Sequence, residues 1–305
     1  MSGRAWATFA AVSVLWGIPY LFIKIAVDDG LSPFFVAWAR VVLGAVVLVA
    51  FARHAGVLGA LRGHWRWLAA FAVVEIALPF PLIAEGERHV SSSLAAILIA
   101  AAPLFVALLA LRFDRAERAG GLRLVGLVVG LAGVVALMGI DVAGRPDELA
   151  GAAAILLAAL GYAIGPMILK HRLAGLDPRA VMGAALTLAA VPLTPAAALT
   201  WPEAMPSAEA LVALAVLGLL CSALTLVLMA ELVADIGPGR ALVVTYINPV
   251  VAVVLGIAVL GESLGPGAFA GLVLILLGSW LSTDGRLPPG LARRLPRRVG
   301  AAGAE

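Results

Sequence analysis

A chain of 305 residues that is 63% hydrophobic and 13% charged, with a mean hydropathy of +1.08, is too apolar for a water-soluble domain, where about a quarter of residues carry charge. Its net charge of +3 is modest and follows the sidedness of a membrane, which argues against nucleic acid as a partner. The single cysteine, Cys221, excludes an internal disulfide and a cysteine metal cage; His54, His64, His89 and His171 stand singly in short polar connections, so no metal site is expected.

Inside a bilayer only helices or closed barrels satisfy the backbone, and the apolar runs here are continuous rather than alternating. The expected class is an all-α membrane protein with ten spans, near 5–26, 32–52, 66–84, 90–111, 121–140, 149–169, 179–199, 208–232, 239–260 and 266–283. The first runs into Lys24, Asp28 and Asp29 without a small-residue cleavage site, so it is read as a span and not as a removable signal. Short connections make consecutive helices antiparallel neighbours. Small residues four apart (Gly126 and Gly130, Gly161 and Gly165, Gly267 and Gly271) predict close helix contacts. Beyond the last span, residues 284–305 form a basic, Pro-rich and Gly-rich tail, expected to be disordered or laid on cytoplasmic headgroups.

The chain repeats itself. Leu82, Ala84, Glu85, Ala95 and Pro103 recur 146 positions later as Leu228, Ala230, Glu231, Ala241 and Pro249. Glu117, Gly126 and Gly133 recur 145 later as Glu262, Gly271 and Gly278, and Gly30-Leu31-Ser32-Pro33 recurs as Gly175-Leu176-Asp177-Pro178. One nearly constant offset across Gly, Pro and Glu anchors implies a duplicated unit of five spans, 1–140 and 149–283. An odd number of spans inserts the second copy the other way up, and the basic residues agree. With the N-terminus inside, 17 of the 21 Lys and Arg fall in cytoplasmic segments and Lys24, Arg88 and Arg145 outside, placing both termini in the cytoplasm. Two inverted five-helix repeats are a common construction of secondary transporters, which bind substrate near the midplane between the halves.

Two charges stand out by depth. Arg40 lies eight residues into its span, roughly 12 Å along the helix, and Glu75 is near the middle of the next. Either they pair and fix the packing of spans 2 and 3, or Arg40 holds a substrate carboxylate or phosphate while Glu75 accepts and releases a proton during turnover. Further substrate-path candidates are Trp16, Tyr20, Trp38 and Tyr162, with Thr245, Tyr246 and Asn248 just before the helix-disturbing Pro249. Trp16 and Trp38 also suit interfacial anchoring, and Lys24 and Lys170 suit snorkelling. The matched pairs Glu85 with Glu231 and Pro103 with Pro249 are gate candidates, against plain interfacial solvation and fixed bends. No Gly-x-Ser-x-Gly, His-Glu-x-x-His or Walker motif is present, so neither catalysis nor a nucleotide cofactor is expected.

Leu15-Trp16-Gly17, Phe22-Ile23-Lys24, Ala39-Arg40, the 79–85 segment, Ser92 to Leu98 leading to Pro103-Leu104-Phe105, and Gly126 to Gly133 together resemble the EamA-like branch of the drug/metabolite transporter superfamily. Glu231, Asn248-Pro249, Gly261-Glu262 and Gly271 to Gly278 look like the repeated version. The resemblance implies ten-span carriers with a cavity lined by spans 1–4 and 6–9, spans 5 and 10 at the periphery, and export or uptake of small metabolites. Arg40 and Lys24 match family positions; Glu75 does not, and rests on burial alone. The expected function is a secondary exporter of amino acids or related compounds in the cytoplasmic (inner) membrane, monomeric or homodimeric, with protons as a candidate coupling ion. Rival readings are a flippase for a lipid-linked headgroup and a non-transporting scaffold or sensor.

Overall fold

The computed structural model describes residues 2–113, 121–237, 241 and 243–284. The arginines of the tail, with Arg115, Glu117, Arg118 and Arg240, lie outside the described residues. Every regular element among the described residues is a helix. Eight helical segments are long and apolar enough to cross a membrane: α1 (Gly3–Asp28), α2 (Pro33–His54), α3 (Trp65–Glu87), α4 (Ser92–Leu109), α5 (Leu122–Val142), α6 (Pro146–Arg172), α7 (Pro178–Leu199) and α8 (Ala208–Ile236). Of two further apolar helices, α9 (Val244–Leu260) is shorter than the 239–260 span expected from sequence, whereas α10 (Pro266–Asp284) fills its expected range.

Local chemistry sets the helix starts. After α1, Gly30 takes a left-handed φ of +91°, Ser32 caps α2 by accepting from Phe35 N (3.1 Å), and Pro33, which has no N–H to lose, occupies the first turn. The same turn is built before α7, with Gly175 at φ +81°, Asp177 accepting from Arg179 N (2.9 Å), and Pro178 next. Ser91 and Ser207 cap α4 and α8 in the same manner. Two helix starts, that of α4 among them, also receive a cap from far along the chain. Glu262 accepts from Ser92 N (2.7 Å), Ser93 N (3.0 Å) and Ser93 Oγ (2.5 Å) at the head of α4. Asp141 accepts from the amides of Gly267 (3.1 Å) and Ala268 at the head of α10. Each carboxylate faces orphan amides and the positive end of a helix dipole.

The spans are not uniform. Gly17 and Pro19 divide α1 into Gly3–Gly17 and Pro19–Asp28, and α4 is interrupted between Ile99 and Ala102, just before Pro103. Its repeat partner Pro249 sits inside a helix, so the matched prolines are not matched breaks. Wide π-type turns occupy Val73–Ala77 in α3 and Val216–Leu224 in α8. Such turns lift one residue out of the regular bonding pattern and are frequent at functional positions.

The strongest lateral pairings are α5 with α10, α2 with α7, and α3 with α6; α1 lies against α8 and α9, and α4 against α6 and α9. Between α5 and α10 backbone meets backbone: a Cβ on Gly126 would lie 2.5 Å from Ser282 N, and one on Gly278 would collide with Gly130 and Gly126. The outward faces, with Val46, Val128, Val135, Val191 and Phe269 exposed, are apolar.

Candidate functional site

Arg40 is 8% exposed on α2, and the fold supplies it with a mount. Its Nε donates to Ser222 Oγ (2.9 Å), and its guanidinium carbon sits 4.0 Å above the Phe80 ring centroid. Ser222 lies in the π-type turn of α8 and donates its own hydroxyl to Leu217 O (2.9 Å), so its lone pairs are turned to the arginine. Among the described residues no group bonds the two terminal nitrogens of Arg40, which leaves the planar fork uncommitted. Tyr20 from α1 and Tyr162 from α6 lie within electrostatic reach of Arg40 and of each other, and neither hydroxyl has a bond among the described residues. Four helices, α1, α2, α3 and α6, therefore contribute a cation, two phenols and the Phe80 face.

Glu75 does not pair with Arg40. It lies in the π-type turn of α3 and faces α6, where its carboxylate occupies the space a side chain at Gly165 would fill. Gly161, one turn away, receives the carbonyl of Val74 in the same manner. The Gly161 and Gly165 stripe thus accommodates the bulged turn as well as close packing. Glu75 Oε2 is buried without a hydrogen-bond partner, while Tyr162 lies within reach of its charge.

Sequence reasoning missed Glu87. Its side chain is 0% exposed, and neither carboxylate oxygen has a hydrogen-bond partner. The run Glu85-Gly86-Glu87-Arg88-His89 reads as a solvated connection, yet residues two apart on a helix point about 200° away from one another. Glu85 faces water and binds Arg88 and His89 (both 3.2 Å); Glu87 turns inward. Close by, Lys24 donates to the main-chain carbonyl of Glu87 (2.9 Å) and pairs with Asp28 (2.9 Å), so it does more than snorkel.

The remaining candidates are committed to the framework. Trp38 Nε1 donates to Thr194 Oγ1 (3.1 Å), and its ring joins Phe35 and Trp201 in an aromatic cluster at one end of α2 and α7. Trp16 packs against Val12, Leu232, Ala241 and Val244. With its amide oriented to suit its neighbours, Asn248 donates to Ser13 O (3.1 Å) and Val244 O (2.8 Å), tying α9 to α1. Tyr246 donates to Ser279 O (3.4 Å) and stacks near Trp280, and Thr245 is likewise engaged. Glu231 pairs with Arg4 (3.0 Å) at the end of the bundle opposite Glu262. A groove of about 640 Å³ opens at this Arg4 end, between Trp67 of α3, Leu109 of α4 and the Ile164 to Arg172 portion of α6. The guanidinium of Arg172 lies over Trp67 at 4.4 Å. The turn of α6 that receives Glu75, at Gly165, adjoins that groove wall.

The comparisons with known proteins agree with this architecture. The sequence model of the EamA-like transporter family matches residues 3–139 and again 149–283. An Escherichia coli K12 protein named as an uncharacterized inner membrane transporter, YedA, is 30% identical over 289 residues, covering 90% of this chain and 89% of its own. A Streptantibioticus cattleyicolor protein named as a probable terminal-alkyne amino-acid exporter is 30% identical over 290 residues, 92% of this chain and 93% of its own. A crystal structure of another protein, 22% identical, superposes with a TM-score of 0.65 over 96% of this chain and 99% of that one, a likeness of fold. With both halves matched by one family and the helices apolar on their outer faces, the chain is a multi-pass membrane transporter belonging to the EamA-like transporter family.

Proposed function

We propose that this protein is a secondary carrier that exports small metabolites bearing an anionic group, amino acids or related compounds, across the cytoplasmic (inner) membrane by alternating access. The observation that carries this reading is the uncommitted guanidinium fork of Arg40, held from behind by Ser222 and Phe80 and faced by Tyr20 and Tyr162. Such a fork suits bidentate capture of a carboxylate, and the aromatic faces suit the carbon skeleton that accompanies it. Two relatives lend support through their names, one as an inner membrane transporter and one as an amino-acid exporter.

In this reading α1–α5 and α6–α10 are inverted repeats. The helix pairings support it because exchanging the halves maps them onto themselves: α2 with α7, α5 with α10, α3 with α6 onto α8 with α1, and α4 with α6 onto α9 with α1. The duplicated Gly-Leu-Ser-Pro and Gly-Leu-Asp-Pro turns point the same way. At about 1.5 Å per residue the 17 residues of α9 rise roughly 26 Å, at the lower limit of what spans a bilayer core of about 30 Å, and with α10 would bring the count to ten crossings. Both termini are then cytoplasmic. The Arg4 end becomes the inner face, the groove by Trp67 and Arg172 the inner approach, and the Glu262 end the closed outer face. Glu75, beside that approach, is the candidate for exchanging a proton during turnover, and Glu85 and Glu231 remain candidates for marking opposite mouths.

The test is transport of labelled amino acids by purified protein in liposomes under an imposed proton gradient. Arg40→Ala should reduce substrate-specific flux roughly 10- to 100-fold, and Glu75→Gln should weaken its coupling to the gradient. If both variants fold and transport at wild-type rates, the site assignment fails.

A further inference from the structure

Among the described residues the Glu87 carboxyl is the one buried acid whose two oxygens both lack a partner, and its surroundings explain what it is waiting for. Lys24, Asp28 and Tyr20 of α1, Arg40 of α2 and Glu262 of the α9–α10 connection lie within its electrostatic reach, and Lys24 touches its main-chain oxygen. The nearby ammonium is occupied: Lys24 Nζ binds Asp28 and the main-chain oxygen of Glu87, not its carboxyl. Glu262 is itself committed to the head of α4, and Ser92 Oγ, at the same helix start, is another buried atom without a partner. An anionic Glu87 here would be desolvated, without a donor, and set against a second carboxylate.

We propose that Glu87 is a proton-binding site of the carrier and that the proton it holds keeps the outer end shut. With the proton on, Glu87 is neutral, Lys24 stays with Asp28, and Glu262 remains seated on Ser92 and Ser93. When the proton leaves to water, the new carboxylate competes with Asp28 for Lys24 and repels Glu262 from the head of α4. Those are the contacts that join α4 to the α9–α10 connection at that end. Lys24 can make the exchange with a side-chain rotation, since its present partner Asp28 is half exposed and Glu87 O already holds it at 2.9 Å. For an exporter the sequence is a proton antiport: a proton from outside neutralises Glu87, Lys24 returns to Asp28 and the outer face closes, and release of that proton to the cytoplasmic side lets the outer face open again. The proposal rests on the carrier reading for its direction, though not for the existence of the site.

Infrared difference spectroscopy of the purified wild-type protein, titrated from acid to alkaline buffer, should show a carboxylic-acid C=O band that disappears as the proton leaves. That band should be missing in Glu87→Gln and present in Glu75→Gln. A band unchanged in Glu87→Gln, or absent from the wild type, overturns the proposal. If Glu87→Gln does not fold, Lys24→Gln serves instead: removing the ammonium should move the disappearance to higher pH, and an unmoved transition counts against the site. The seal is read separately, with cysteine placed at Ser91 in a Cys221→Ser background and an impermeant maleimide outside. Normalised to a fully exposed reference cysteine, because the reactive thiolate fraction itself rises with pH, labelling should rise several-fold in alkaline buffer with native Glu87 and stay flat with Glu87→Gln; equal normalised rises in both reject the gating role. Loss of the infrared band alongside intact Arg40-dependent flux removes this proposal and leaves the carrier, whereas the reverse result removes the carrier and leaves the proton site.

Discussion

Helices α3 and α8 occupy positions related by the 146-residue offset, and both carry a π-type turn there, Val73–Ala77 in one and Val216–Leu224 in the other. The residue at the heart of the first is Glu75; 146 positions later stands Cys221, buried and apolar in character. Arg40 likewise maps, at an offset of 145, to Ala185, which is fully buried in an aliphatic cluster. The irregular backbone belongs to both units and the charge to one. The second unit is not inert, because the turn in α8 presents Ser222 to Arg40. In the proposed site one copy supplies both charged groups, and the other contributes Ser222, which holds Arg40, and Tyr162 beside it.

That division can be broken at matched positions. The largest effect is expected at Arg40: its replacement by Ala should reduce liposome transport roughly 10- to 100-fold, the scale of a lost charge-assisted contact of about 1.5–3 kcal/mol. Ala185→Ser should stay within about twofold of wild type. Next, Glu75→Gln should cut gradient-driven accumulation by about tenfold, the scale of removing a group that carries a proton in the mechanism. Cys221→Ser should leave it nearly unchanged, and an equal loss in both would mean that the turns matter only as packing.

Smaller effects are expected in stability. Gly278→Ala drives a methyl group into the Gly130 backbone, whereas Gly133→Ala, 145 positions earlier, meets the Leu274 side chain at 2.7 Å as its nearest neighbour. Thermal unfolding in detergent should report a loss of about 1–3 kcal/mol for the first and less for the second. The smallest effect separates the two helix caps. Ser32→Ala and Asp177→Ala should each cost about 1 kcal/mol at neutral pH. Only the second should depend on pH. The hydrogen bond from the Arg179 side chain holds the Asp177 carboxyl below the usual carboxylate range. Because the folded-state value is the depressed one, its stabilisation is complete above the ordinary carboxylate range and is lost as pH falls through that lower value. The gap in melting temperature between Asp177→Ala and wild type should therefore shrink in acid, while that of Ser32→Ala stays constant.

The features readable from sequence are those written in local chemistry. Gly30 to Pro33 and Gly175 to Pro178 each specify a left-handed glycine, a capping oxygen and a first-turn proline, and each forms the helix start it spells. The depth of Arg40 followed from counting residues into a span. What escaped depends on residues far apart in the chain. Nothing local distinguishes Glu262 or Asp141 from other loop acids, yet each caps a helix distant in sequence. Nor does a π-type turn have a local signature beyond the nearby Pro79. Trp38 and Asn248 look like binding residues from type and position, but their polar atoms are spent on Thr194 and on Ser13. Glu87 was hidden by its polar neighbours, since only the fold tells which face of that last helical turn is wet.

The contact of α5 with α10 also bears on biogenesis. Because Gly126 and Gly133 are covered by a helix that lies more than a hundred residues further along the chain, α5 must wait in the lipid during synthesis with these glycines unmatched. Docking of α10, the last helix described, then closes that one seam between the units and fastens the helix to Asp141. A ribosome that stalls before α10 would leave an unfinished seam, a feature by which membrane proteases could tell an incomplete copy from a finished one.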